Sequence, residues 1–214
     1  GQAWEKLIQA MYPASHPYHR GVIGSMNDLN AATLDVVKNW FRAWYGPNNA
    51  VLVLAGDITP EKARELTEKY FGPIPRGPVN NPREASVPTL AAPISETTHD
   101  RVANAQVSIN WAVPGMLDPD AVPLSVGASV LGGLASSRLD NELVRGDQTA
   151  VSVSASNGAF HRVGMFDITL NVKPGEDPAA VEARARQILD GLIANGPTAE
   201  EVERVKTQYV SRVV

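Results

Sequence analysis

His16 and His19, held in Ser15-His16-Pro17-Tyr18-His19-Arg20-Gly21, are the side chains best suited to metal or proton chemistry. Two imidazoles on a proline-containing loop do not complete a metal shell, and no carboxylate lies close in sequence, so a structural loop role is expected. His99 beside Asp100 and His161 beside Arg162 stand alone at expected strand ends and read as solvated surface positions. Asp57 follows Gly56 after an apolar run, where a turn residue bonding local backbone N–H groups is expected. The stretch Gly132-Gly133-Leu134-Ala135-Ser136-Ser137 lacks the lysine and spacing of a phosphate loop, and it sits between two helical patterns instead of after a strand. Ser136 and Ser137 have no strand-turn-helix context for a nucleophile. Residue chemistry thus supplies no complete catalytic constellation.

The elements that must carry these residues follow from periodicity. Trp4, Leu7, Ile8 and Met11 predict an amphipathic helix over 2–12, ended by Pro13. Leu34, Val37, Trp40, Phe41 and Trp44 mark a second helix, with Gly46 expected in the left-handed position after it. Val51 to Ala55 reads as a buried strand, followed by a helix capped by Thr59 and opened by Pro60. Six prolines between Pro73 and Pro93 then dissolve the pattern and predict an extended linker. Beyond it, Ile94 to Asp100 is a weak strand, and Val107, Ile109 and Trp111 alternate with Ser108 and Asn110 in a clear one. Asp118-Pro119 opens a helix running to Gly132-Gly133, and a short helix spans 136–145. Strands follow at 150–156, with Val151, Val153 and Ala155 on one face, and at 162–172, with Phe166, Ile168, Leu170 and Val172. Asp177-Pro178 starts another helix, and Thr198-Ala199-Glu200-Glu201 has capping-box spacing for the last.

Within 214 residues, the runs 51–71 and 166–192 are both strand, turn, cap, Pro and amphipathic helix. The expected class is α+β, with mostly antiparallel sheets, helices on one face, and a tandem repeat whose first copy is incomplete. Residues 1–72 are assigned to the first repeat, 73–93 to the linker and 94–214 to the second repeat. Both ends of the chain have helical character, so a fragment of a longer protein is expected. A formal charge of −4 without basic clusters gives no footprint for nucleic acid. The absence of cysteine excludes disulfides, thiolate nucleophiles and Cys-based zinc sites. No apolar run approaches the roughly 18 residues of a membrane span.

In order along the chain stand His16-Pro17-Tyr18, Ile23-Gly24-Ser25 with Asp28-Leu29, Phe41, Trp44-Tyr45, Pro47 to Val53 and Gly56-Asp57. The second region adds Val107 to Pro114, Asp118 to Asp120, Leu131-Gly132-Gly133 and Ser136 to Leu139. This ordered set resembles the insulinase/pitrilysin family of zinc metallopeptidases, the inverzincins. The resemblance implies zinc held by His-x-x-Glu-His and a later Glu. That motif does not occur in this sequence, and Glu5 does not match the ligand position, so no metal or catalytic residue is assigned here. The family's substrate-binding Arg and Tyr fall on Val144 and Val151, with Arg145 one position away.

The resemblance implies a non-catalytic fragment of a zinc-dependent peptidase that hydrolyses peptides in a chamber formed by two halves. Zinc belongs to the parent protein and none to this fragment; the partners are peptide substrate and a second homologous half. A periplasmic location follows from family analogy. The alternative from another class is a structural or binding subunit of the same fold without peptidase activity, and an unrelated ferredoxin-like binding module is a third reading.

Overall fold

Short polar side chains set the helix starts. In a computed structural model describing residues 2–81 and 84–213, α1 spans Gln2–Met11 and α2 spans Met26–Ala31, the latter capped where Ser25 Oγ accepts the Asp28 N–H at 3.0 Å. Thr33 caps α3 (Leu34–Trp44) through the Val36 N–H, and Thr59 caps α4 (Pro60–Phe71) through the Lys62 N–H at 3.3 Å. The remaining elements are β1 (Gln106–Pro114), α5 (Ala121–Ala128), β2 (Ala150–Ala159), β3 (Val163–Val172), α6 (Pro178–Asn195) and α7 (Ala199–Val213). Helical turns of π geometry cover Ser129–Gly133 and Asp140–Gly146. Contacts divide the chain into two units, 20–83 and the combination of 1–19 with 84–214.

The smaller unit, 20–83, departs from expectation. Val51 to Ala55 forms no strand: no described segment pairs with it, and Val51 and Val53 are 91% and 79% exposed. An apolar run sets the tendency to extend, but a strand exists only through its ladder. Gly46 is not left-handed; its φ of −72° and ψ of 152° are extended. Glycine is required there because a Cβ would stand 2.6 Å from the Gly77 backbone nitrogen. Asn48 fixes that approach, accepting the Gly77 N–H at 2.7 Å and donating to the Pro78 carbonyl at 3.3 Å. On α3, Val37, Trp40, Phe41 and Trp44 lie 39–58% exposed, with Trp40 and Trp44 ring centroids 5.4 Å apart.

The larger unit is built on a three-stranded antiparallel sheet in the order β1-β3-β2. Its central strand alternates as expected: Phe166, Ile168, Leu170 and Val172 face a core completed by Leu131, Leu139, Leu143 and the α6 residues Val181, Ala185 and Ile188. Helices therefore cover one face of the sheet. On the other face Leu7, Ile8, Met11 and Tyr12, from α1 and the residue after it, pack over the Ala112–Met165 end.

Three local expectations are corrected. Ile94 to Asp100 forms no strand; these residues are exposed and without ladder partners. The helix expected at Asp118-Pro119 begins at Ala121, because Asp118 Oδ1 closes a turn onto the Asp120 N–H at 2.9 Å first. Val151 does not share the core face with Val153 and Ala155. A register shift between Ala150 and Ser152 makes it a bulge residue, 51% exposed.

Gly132 explains its own identity: a Cβ there would lie 2.6 Å from the Ala155 backbone nitrogen of β2. A Cβ on Gly191 in α6 would meet nothing within 4 Å. Gly132→Ala is expected to cost about 2 kcal/mol of stability by forcing helix and sheet apart, whereas Gly191→Ala raises it by about 0.5–1 kcal/mol. Urea unfolding of the two variants, side by side with the parent sequence, checks both signs.

Candidate functional site

Because side chains alternate across a strand, the residues of β3 that miss the core must line the opposite face. They are Asp167, Thr169 and Asn171, and the register places Asn110, Ser108 and Gln106 of β1 beside them. On the other side stand Ser156, Ser154 and Ser152 of β2. These nine positions form a polar field whose β2 members are exposed and whose β3 members are half-buried by their neighbours. Asn171 bridges it, donating to Ser152 Oγ at 2.8 Å and accepting from Gln106 at 3.3 Å through its Oδ1. Ser156 Oγ–H donates to Asp167 Oδ1. Asp167 escapes a sequence reading directed at motifs; its only signal is the phase of the Ser/Thr/Asn alternation.

His16 and His19 are held by hydrogen bonds within and beside their loop. His16 Nδ1 accepts the Tyr18 N–H at 3.1 Å, so the ring proton sits on Nε2, which donates to the Ser86 carbonyl at 3.1 Å. His19 Nδ1 donates to the Tyr12 carbonyl at 2.6 Å. The loop packs as an aromatic stack, with Tyr12 and His16 centroids 4.8 Å apart and Tyr18 edge-on to Phe160 at 5.8 Å. Burial pushes the Tyr12 hydroxyl above its ordinary pKa. With the lone pair of His16 occupied, and with no group of three or more potential ligands among the described residues, the residues present do not fit a zinc centre.

The other singled-out residues do not converge. His99, Asp100, His161 and Asp57 are exposed, and the Asp57 turn is closed by the backbone, the Ile58 N–H donating to the Gly56 carbonyl at 3.0 Å. Glu5 accepts from Gln9 at 3.4 Å within α1. Ser137 is 1% exposed and its hydroxyl meets no hydrogen-bond partner among the described residues, so no base activates it. Val144 packs half-buried against the core, while Val151 points outward. Arg145 turns back on its own helix, donating to Asp140 at 2.8 Å.

One ion pair ties the helical layer together. Arg138 donates to both oxygens of Glu201 at 2.7 and 2.8 Å and to the Gly196 carbonyl at 3.0 Å. Glu201 also closes the expected capping box: it accepts the Thr198 N–H at 2.7 Å, and Thr198 Oγ1 accepts the Glu201 N–H at 3.2 Å.

Residues 31–209 match the family described as "Peptidase M16 inactive domain". The chain belongs to the M16 peptidase family. It is 26% identical over 199 residues to the zinc protease PqqE of Helicobacter pylori, covering 89% of this chain and 44% of that protein. It thus spans less than half the length of that curated relative. A crystal structure of a protease from Helicobacter pylori superposes with a TM-score of 0.75 at 25% identity, over 100% of this chain and 52% of the other. Two further structures share the fold at lower identity. The first half of the periplasmic protease PqqL from Escherichia coli gives a TM-score of 0.65 at 17% identity, covering 98% of this chain and 45% of that one. A chain of complex III2 from Candida albicans gives 0.77 at 14%, covering 99% and 51%. The mixed helical and antiparallel-sheet M16 fold is therefore the one expected from sequence.

Arg138 holds the Glu201 carboxyl down from its ordinary 4.5 to about 2. A carboxylate depressed on folding adds stability above its unfolded pKa and loses it as pH falls toward the folded value. The pair is 14–23% exposed, so the contribution is about 2 kcal/mol after allowing for solvent screening. Stability measured by chemical unfolding is expected to fall between pH 4.5 and 2 in the parent sequence, and this part of the fall disappears in Glu201→Gln.

Proposed function

We propose that the chain is a non-catalytic part of a zinc-dependent peptidase, with its polar sheet face turned toward peptide substrate. Two findings support this reading together. The chain matches less than half of a zinc protease, and the His16 and His19 pair is committed to structural hydrogen bonds. The zinc and the general base belong to residues of the parent protein outside this sequence. Within the chain, 1–72 ends the first repeat, 73–93 links and 94–214 forms most of the second. The apolar face of α3 and the unpaired Val51 to Ala55 are surfaces that the rest of the first repeat would cover and pair.

Val144 and Val151 stand at the positions of the family's Arg and Tyr, and neither offers a hydrogen-bond donor. A second homologous half, fused or separate, supplies that pair, and the two halves enclose the substrate chamber. The periplasm is the proposed compartment, in keeping with the PqqL fold relative. The same two valines favour a second reading, a structural subunit of this fold without peptidase activity, in keeping with the occurrence of the fold in a chain of complex III2.

The parent protein, assayed with its second half on a quenched-fluorescence peptide, is expected to hydrolyse it, with activity lost to a chelator and restored by zinc. The chain by itself is expected to leave the peptide intact. An inert parent would favour the structural subunit, and chelator-sensitive cleavage by the chain alone would overturn the placement of zinc.

A further inference from the structure

Asp167 is out of place by the rules of local structure. It sits at the middle of the central strand, where aspartate is disfavoured and β-branched or aromatic residues are the usual occupants. Its flanking partners are Asn110 and Ser156, and it is the one ionisable side chain among the nine positions of the polar field. Local rules broken in an otherwise consistent strand mark functional positions. We propose that this sheet face binds an extended peptide carrying a Lys or Arg side chain, and that Asp167 is the residue that recognises the cation. The proposal rests on the peptide-handling reading above and goes beyond it by naming what the face selects.

Three properties of the face support that occupant. It is accessible: the opposite face is filled with core side chains, whereas here Gln106, Ser108, Ser152, Ser154 and Ser156 are exposed, and α1 packs at the Ala112–Met165 end. Its side chains are short hydroxyls and amides, each able to donate and to accept, which suits peptide backbone of any sequence. Its charge is single and negative. Among the described residues Asp167 spends only Oδ1, on Ser156, leaving Oδ2 to receive an ammonium or a guanidinium N–H. A lone carboxylate with neutral neighbours does not assemble the ligand set of a metal ion, and its sign repels nucleic acid. A cationic side chain on an otherwise neutral peptide is the ligand that uses both the charge and the polar field.

The test is equilibrium binding of two fluorescein-labelled peptides to the full chain, followed by anisotropy. One carries a central arginine in a Gly/Ser/Val sequence, the other carries citrulline in its place, which keeps the shape and removes the charge. The arginine peptide is expected to bind about tenfold more tightly at low salt, and this preference shrinks as salt is raised. Asp167→Asn, close to isosteric, abolishes the preference, while Asp167→Glu retains part of it; matching circular dichroism spectra show that the fold survives. Equal binding of the two peptides, a preference unchanged in Asp167→Asn, or binding of neither overturns the proposal. None of these readouts needs zinc or hydrolysis, so they succeed or fail independently of the peptidase reading.

Discussion

The strictest constraint in this molecule is the alternation along β3. As the middle strand it must satisfy ladders on both sides, so every second residue from Phe166 to Val172 is committed to one buried cluster. That commitment fixes where Asp167, Thr169 and Asn171 point. A one-residue slip would bury an aspartate and expose Ile168 and Leu170, a change that desolvation alone makes prohibitive. The polar face is therefore as firmly specified as the core, because the same strand defines both.

The helical layer is held to that strand by packing and tied within itself by ion pairs. Val181, Ala185 and Ile188 seat α6 on the sheet, and Gly132 lets the preceding π turn approach the β2 backbone. Arg138 then reads both the carbonyl of Gly196, at the end of α6, and the carboxylate of Glu201, in the first turn of α7. Gly196 has a φ of +70°, so the reversal between the two helices needs a residue without a Cβ. Cap, turn and ion pair coincide within six residues, and together with the buried Val205 they orient the last helix.

Much of this is legible in the sequence wherever one segment contains its own answer. The Thr59, Asp177 and Thr198 caps appear as expected, since a cap joins residues two or three positions apart. The alternation of β1 and β3 is equally plain. What the sequence hides depends on distant partners: Val51 to Ala55 has the composition of a strand but no ladder, and Gly46 is glycine because of Gly77. Val151 leaves the expected face because a bulge shifts the phase of β2, and no local pattern announces it. Of the site, the structural role of His16 and His19 is readable from the incomplete ligand set. Asp167 is not, because its significance comes from which neighbours the register gives it.

The proposed division of labour gives this chain framework and substrate contact and leaves the metal chemistry to residues of the parent protein. Zinc content after equilibrium dialysis tests that division most directly. The expected result is no zinc retained in stoichiometric amount by the chain in mildly alkaline buffer. One tightly held zinc per chain, lost on substitution of His16 or His19, would contradict it and return those side chains to the role of ligands.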